Sequence, residues 1–315
     1  MFEGILGQGY WIASTANARR TIFGVDGFLV TMHRHSVPLF FVFSLATYAQ
    51  SGKHPGLIAW NDTTLVDSIR AKGCYDYIWD EVLFSDPDSA YAMAIVLRDL
   101  AHTNGALVDE ASAIGILGTV LYVKGELPEA LAEQERSLRL YQQAHSQEGV
   151  ADALTNMGGM QYFLGMHTEA LDLYGKGLVV HEQLQDSVGM ANDLNAMGAI
   201  HMARGDHARA LDHYARSFHL LEVLGDKRGM ATGYANMGAL NLLQGDTKGA
   251  LSQYTKALDI ANELNDRHLI GKELEHVGSC LLELGDTTSA MDHFQRSLAT
   301  REGIPDQHGI VSASN

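Results

Sequence analysis

The residues best suited to chemistry in this 315-residue chain are its 15 histidines, its two cysteines and a scatter of acidic and amide side chains. His201, His207, His213 and His219 fall six apart. That interval does not return a side chain to one helix face, and Gly205 interrupts the run. No His-x-x-x-His or His-Glu-x-x-His motif is present, so we expect surface or loop histidines and no metal. Cys74 and Cys280 are too few for a four-thiolate zinc site or a disulfide framework, and they read as two separate packed thiols. The glycines of Gly4–Gly9 lack the helix and acidic residue that a nucleotide loop needs, and no Walker, Gly-x-Ser-x-Gly or Cys-x-x-Cys pattern occurs. The expectation is a chain with no catalytic residues and no cofactor.

Composition narrows the partners. Lys and Arg number 22 against 38 Asp and Glu, a net charge of −16 that repels phosphate backbones, so no nucleic-acid partner is expected. The chain is 46% apolar with only 5 Pro, enough for a folded core. No apolar run reaches the length of roughly 18 residues that a membrane-spanning helix requires. From Met32 a short basic start (His33, Arg34, His35) leads into an apolar run, Val37 to Ala46, closed by Thr47-Tyr48-Ala49. This order matches a signal peptide over 32–49 with Gln50 as the mature terminus. The competing reading of that apolar segment is a buried helix or strand of a small N-terminal domain; on the signal reading, residues 1–31 are an over-extended start, expected to be poorly ordered. Export to a periplasmic or extracellular space follows if translation starts at Met32, and a cytoplasmic location otherwise. Residues 50–63 read as a linker.

The elements that position the remaining polar residues come from an internal repeat. Glycine recurs at 118, 158, 198, 238 and 278, and again at 125, 165, 205, 245 and 285. Alanine recurs at 130, 170, 210, 250 and 290, followed four residues later by Tyr174, Tyr214, Tyr254 and Phe294, with Gln134 the exception. Aspartate recurs at 186, 226, 266 and 306. Every series has a period of forty without insertion. Runs such as 151–164 and 168–184 carry apolar residues at helical spacing, separated by a glycine suited to cap a helix. Each copy is therefore an antiparallel helix pair that buries its apolar face only by stacking on its neighbours. A glycine inside the first helix (Gly158) predicts close helix approach, with Ala170 facing it and Tyr174 one turn on.

The small Gly, the Ala and the following aromatic resemble the tetratricopeptide repeat. The forty-residue length and the text Gly-x-Ala-x-x-x-x-Asn-Met-Gly, at Gly149–Gly158 and Gly229–Gly238, resemble a longer subclass. The resemblance implies an all-α, right-handed superhelical solenoid of antiparallel helix pairs: a degenerate capping repeat over 64–108, five copies over 109–308, and the start of a sixth at 309–315. In the degenerate copy, Tyr77 and Trp79 are expected to pack its first helix. The signal-like segment, the Trp60-Asn61-Asp62 stretch and the repeats together are similar to exported arrays of Bacteroidetes-type bacteria, which implies a possible downstream output domain (histidine kinase, cyclase or transcriptional regulator).

In this family the first helix of each pair lines a concave groove that binds a protein or peptide ligand. Carried over by position, the groove residues are Asp152 and Asn156, Asn192 and Asn195, Thr232 and Asn236, and Lys272, Glu275 and His276. An Asn side chain both donates and accepts, so a ladder of them suits an extended backbone; the alternative is that these residues only solvate an exposed helix face. No Lys/Arg cluster occupies these positions, so the carboxylate clamp of chaperone-binding members is not expected.

Overall fold

In the computed structural model of the chain, the described residues are 11–14, 19–23, 29–33, Gly56 and 67–302. Residues 67–302 are built from helices alone. α1 spans Asp67–Tyr77 and runs into a π-helical turn, Ile78–Val82. Eleven further helices follow: α2 (Pro87–Thr103), α3 (Leu107–Val123), α4 (Leu127–Gln143), α5 (Gln147–Phe163), α6 (His167–Gln183), α7 (Ser187–Ala203), α8 (His207–Leu224), α9 (Lys227–Leu243), α10 (Thr247–Glu263), α11 (Arg267–Glu283) and α12 (Thr287–Glu302). The expected all-α architecture of packed helix pairs is thus present, α3/α4 through α11/α12 being the five forty-residue copies. Three short strands, β1 (Trp11–Ser14), β2 (Arg19–Phe23) and β3 (Leu29–His33), pair antiparallel in chain order, with Thr21 opposite Thr31. They fall in and just after the stretch read as an over-extended start. The rest of that stretch, residues 34–49 of the signal-like segment, the linker apart from Gly56, and 303–315 lie outside the described residues.

The chain divides into two compact units, Met1–Gln185 and Asp186–Asn315. In the first, α1 and α2 enclose a core of Tyr77, Ile78, Trp79, Leu83, Met93 and Leu97 that extends into α3 through Ile116 and Leu117. In the second, Tyr254, Leu258, Leu274 and Val277 tie α10 to α11. Each such large apolar side chain taken from water contributes about 1.5–3 kcal/mol before entropy is counted.

Sequence determines where the helices start and stop. Asp206, Asp226, Asp246 and Asp266 each accept a backbone N–H from the first helical turn, at 3.2, 3.0, 2.9 and 3.1 Å. Such caps contribute about 1 kcal/mol each. Between α7 and α8, Gly205 adopts φ +74°, and the N–H of Asp206 reaches back to the His201 carbonyl at 2.9 Å. That satisfies an orphan carbonyl in the manner of a left-handed helix terminator.

The mid-helix glycines do what their spacing predicts. A Cβ on Gly198 would lie 2.7 Å from the ring of Tyr214, and one on Gly238 3.0 Å from Tyr254. The aromatic side chain of the second helix therefore lies directly on the backbone of the first. In the first copy, Gln134 fills the same space over Gly118 and donates from Nε2 to the Gly115 carbonyl at 2.9 Å.

Candidate functional site

The first helix of each pair carries the candidate polar residues. In the first unit, Asp152 and Asn156 are buried on α5. In the second unit, Asn192 and Asn195 are buried on α7, Thr232 and Asn236 are half-buried on α9, and Lys272, Glu275 and His276 are half-buried on α11. α7 and α9 are joined directly: Asn236 Nδ2 donates to Asn195 Oδ1 at 2.7 Å. That bond uses one N–H of Asn236 and leaves its second N–H and its Oδ1 available. Thr232 Oγ1 donates to the Arg228 carbonyl one turn back, at 3.3 Å.

On α11 Glu275 and His276 are paired. Glu275 takes an ion pair from Arg301 of α12. His276 Nδ1 lies 3.0 Å from Glu273 Oε2, and its ring packs on Tyr254 with centroids 4.5 Å apart. Glu273 is itself buried, and its charge adds to the burial that holds the Tyr254 phenol protonated. Arg228 of α9 pairs with Asp266, the residue that caps α11. The row of polar side chains is therefore partly consumed by contacts within the chain.

Two sets of residues escaped sequence reasoning. The first is a pair of histidines. His201 is buried on α7, and His213 of α8 stacks on it with rings 5.2 Å apart and 7° from parallel. The expectation of surface or loop positions is corrected for this pair, and also for His181, which is buried on α6. Twelve residues apart cannot meet along one helix, but the turn at Gly205 folds α8 back onto α7 and brings the rings together. Burial pushes both imidazoles below their ordinary range, His213 further through the charge of His201 and Arg216. The second set is a serine series. Ser137, Ser217 and Ser297 donate to the carbonyls of Ala111, Ala191 and Gly271, at 2.7, 2.7 and 2.6 Å. Gly177 and Ala257 stand between them in register, so the signal was a period of eighty overlaid on the period of forty.

The first unit also holds an open apolar depression, lined by Leu138 of α4, Leu154 of α5 and Leu173 and Val180 of α6. Asp109, buried at the start of α3, is pushed up to about 7 by loss of water. Both cysteines are free and buried. Burial pushes the Cys280 thiol up to about 11 and raises that of Cys74 as well, so neither supplies a thiolate near neutral pH. Among the described residues, no three His, Cys, Asp or Glu side chains gather where they could hold a metal ion, and no helix is long and apolar enough to cross a membrane.

Comparison with known proteins agrees with the repeat. The family model described as "Tetratricopeptide repeat" matches residues 109–182 and 190–263. The curated proteins contain no match to this chain. Among solved structures, BtubC (BKLC) from P. vanneervenii aligns with a TM-score of 0.60 at 18% identity, over 71% of this chain and 92% of that one. The apo form of RapI aligns at 0.58 and 14% identity, over 74% and 83%. A Rap protein complexed with Competence and Sporulation Factor aligns at 0.56 and 12%, over 79% and 77%. At such identities these structures share the fold alone. Five copies of one helix pair, with the glycine of the first helix under the aromatic of the second in four of them, and a family model matching in two blocks make residues 109–182 and 190–263 tetratricopeptide repeats.

Proposed function

We propose that this protein is a non-catalytic binding scaffold and that the face formed by α7, α9 and α11 takes an extended segment of a protein partner. The observation that carries the reading is the Asn195–Asn236 bond. It sets two amides of successive first helices side by side while leaving acceptor and donor capacity on Asn236. An extended backbone presents N–H and C=O groups in alternation, which an amide can meet with one donor and one acceptor. Thr232 on the same helix, and Lys272 and His276 on α11, would extend the row. The solved structures with the same fold include one complexed with Competence and Sporulation Factor, which supports a binding role for this architecture.

The test is selection of random peptides displayed on phage against the immobilised chain, followed by titration of one enriched peptide. Binding should be saturable and should weaken about tenfold in Asn236→Ala, with the circular dichroism unchanged. Enriched peptides that ignore this variant but are lost in Leu154→Asp would move the site to the apolar depression between α4 and α6.

A second reading is that the array is the sensing part of a longer signalling protein. It is favoured by Asp306 to Ser312, which repeat the start of a further copy. The reading frame beyond Asn315 decides it: more repeats and an output domain support it, and an immediate stop removes it. The signal-like segment from Met32 carries the associated proposal of export, which mass spectrometry of the mature N-terminus would test at Gln50.

A further inference from the structure

We propose that strand β3 (Leu29–His33) is a resident occupant of the groove face of α5, held there from within the same chain, so that this face is closed to an outside strand until β3 leaves. β3 is an edge strand of the N-terminal sheet: it pairs with β2 on one side, His33 opposite Arg19 and Leu29 opposite Phe23. It packs against α5, a first helix of the repeat, and also touches α3, the first helix before it. Both helices belong to the first unit, apart from the face on α7, α9 and α11.

The burial of equivalent helices points the same way. α5 and α9 hold the same place in the repeat, two copies apart. Each has helical neighbours at the same offsets: α6, α4 and α3 for α5, and α10, α8 and α7 for α9. Of the two, among the described residues, α5 alone packs on a strand as well. Every residue of α5 from Gly149 to Met160 is buried. A surface helix leaves a polar stripe to water, so a helix buried all round is covered on every side. In α9 that stripe is open: Thr232 and Asn236 are half-buried, whereas Asp152 and Asn156, in register with them, are 3% and 1% exposed. Charge agrees with the pairing. Residues 11–35 carry Arg19, Arg20 and Arg34 against one acid, Asp26, while α3 and α5 open with Asp109, Glu110 and Glu148. A basic segment is thereby drawn to an acidic scaffold. Because β3 belongs to the same chain, it acts at an effective concentration of about a millimolar, which holds a contact too weak to survive between separate molecules. Cleavage before Gln50, the proposed export cut, would carry β3 away and uncover α5.

Hydrogen exchange of the full chain, read across 147–163, tests this. A protease recognition sequence in place of residues 50–55 lets β3 be cut away after folding and removed by gel filtration. The cut should speed exchange across 147–163 several-fold and leave 227–243 unchanged. Val30→Pro/Thr31→Pro in the uncut chain should do the same, because it removes one donor on either edge of the strand, and Val30→Ile/Thr31→Val should not. A synthetic peptide of residues 19–33 added to the cut chain should restore the protection, and a scrambled peptide of the same composition should not. Equal exchange across 147–163 before and after the cut would overturn the proposal. So would faster exchange through all of 67–302, because β3 would then be part of the core that folds the array. Peptide binding lost in Asn236→Ala reports on α7, α9 and α11 alone, so either site can fail without the other.

Discussion

Asn236 of α9 donates to Asn195 of α7 across a sequence separation of 41 residues, one more than the repeat. The bond therefore joins two positions that are not equivalent in the repeat, and it ties one copy to the next through side chains. A partly buried hydrogen bond of this kind contributes about 0.5–1.5 kcal/mol, and removing one partner leaves the other to be satisfied by water or not at all. Asn195→Ala and Asn236→Ala should each lower urea stability by about 1 kcal/mol. The double variant should lose clearly less than the sum, giving a coupling of about 0.5 kcal/mol or more. Strict additivity in that cycle would show that the bond contributes nothing in solution.

Replacing Gly198 by Ala should destabilise the third copy, although Ala is intrinsically about 1 kcal/mol better inside a helix. The added methyl would meet the Tyr214 ring at 2.7 Å, and overpacking of this kind typically costs about 1–3 kcal/mol. Thermal unfolding of Gly198→Ala and of Gly198→Ala/Tyr214→Leu separates the two effects. The second substitution should recover part of the loss by opening space for the methyl. A Gly198→Ala variant as stable as the native chain would remove the close approach as the reason for that glycine.

Turns between copies contain non-glycine residues in the left-handed region, His145 at φ +54° and Asn265 at φ +52°, where the equivalent residue of another copy is Gly225 at +66°. This conformation costs most side chains about 1–2 kcal/mol, while Asn tolerates it. His145→Gly should raise the unfolding midpoint, by up to about 1 kcal/mol in free energy after the entropy of the freer unfolded chain is subtracted. Asn265→Gly should change it little. Denaturant titration of both variants checks the order.

The His201–His213 stack gives the fold an acid-sensitive point. Both imidazoles are held below 6.5 by burial, so the folded state keeps them neutral at a pH where the unfolded chain already binds protons. Their contribution is complete above about pH 6.5 and is lost as pH falls below it. Protonation would place two positive rings 5.2 Å apart beside Arg204, Arg209 and Arg216, opposed only by Asp206 and Asp212. The melting temperature should fall between pH 7.5 and pH 5.5 in the native chain and fall less in His213→Gln. Identical slopes would place the acid sensitivity elsewhere.

The sequence by itself determined the helix pairs, their lengths and the contact inside each pair. Short turns join helices of nearly equal length, so a residue and its partner on the returning helix keep a fixed offset. Gly158, Gly198 and Gly238 could thus be placed under Tyr174, Tyr214 and Tyr254 from spacing alone. The aspartates could be read as caps because each precedes a helical run and no other local role suits it. What only the tertiary structure decided is how polar side chains share partners. Asn195 was legible as a polar residue of a first helix, but its bond to Asn236 depends on the rotation of α9 against α7, which the repeat does not encode. His201 and His213 looked unrelated because six-residue spacing was read along one helix, whereas the turn at Gly205 reverses the chain between them. The polar face on α7, α9 and α11 was therefore visible in the sequence as a row of positions. Which of its groups are already satisfied, as Glu275 is by Arg301, required the packed neighbours.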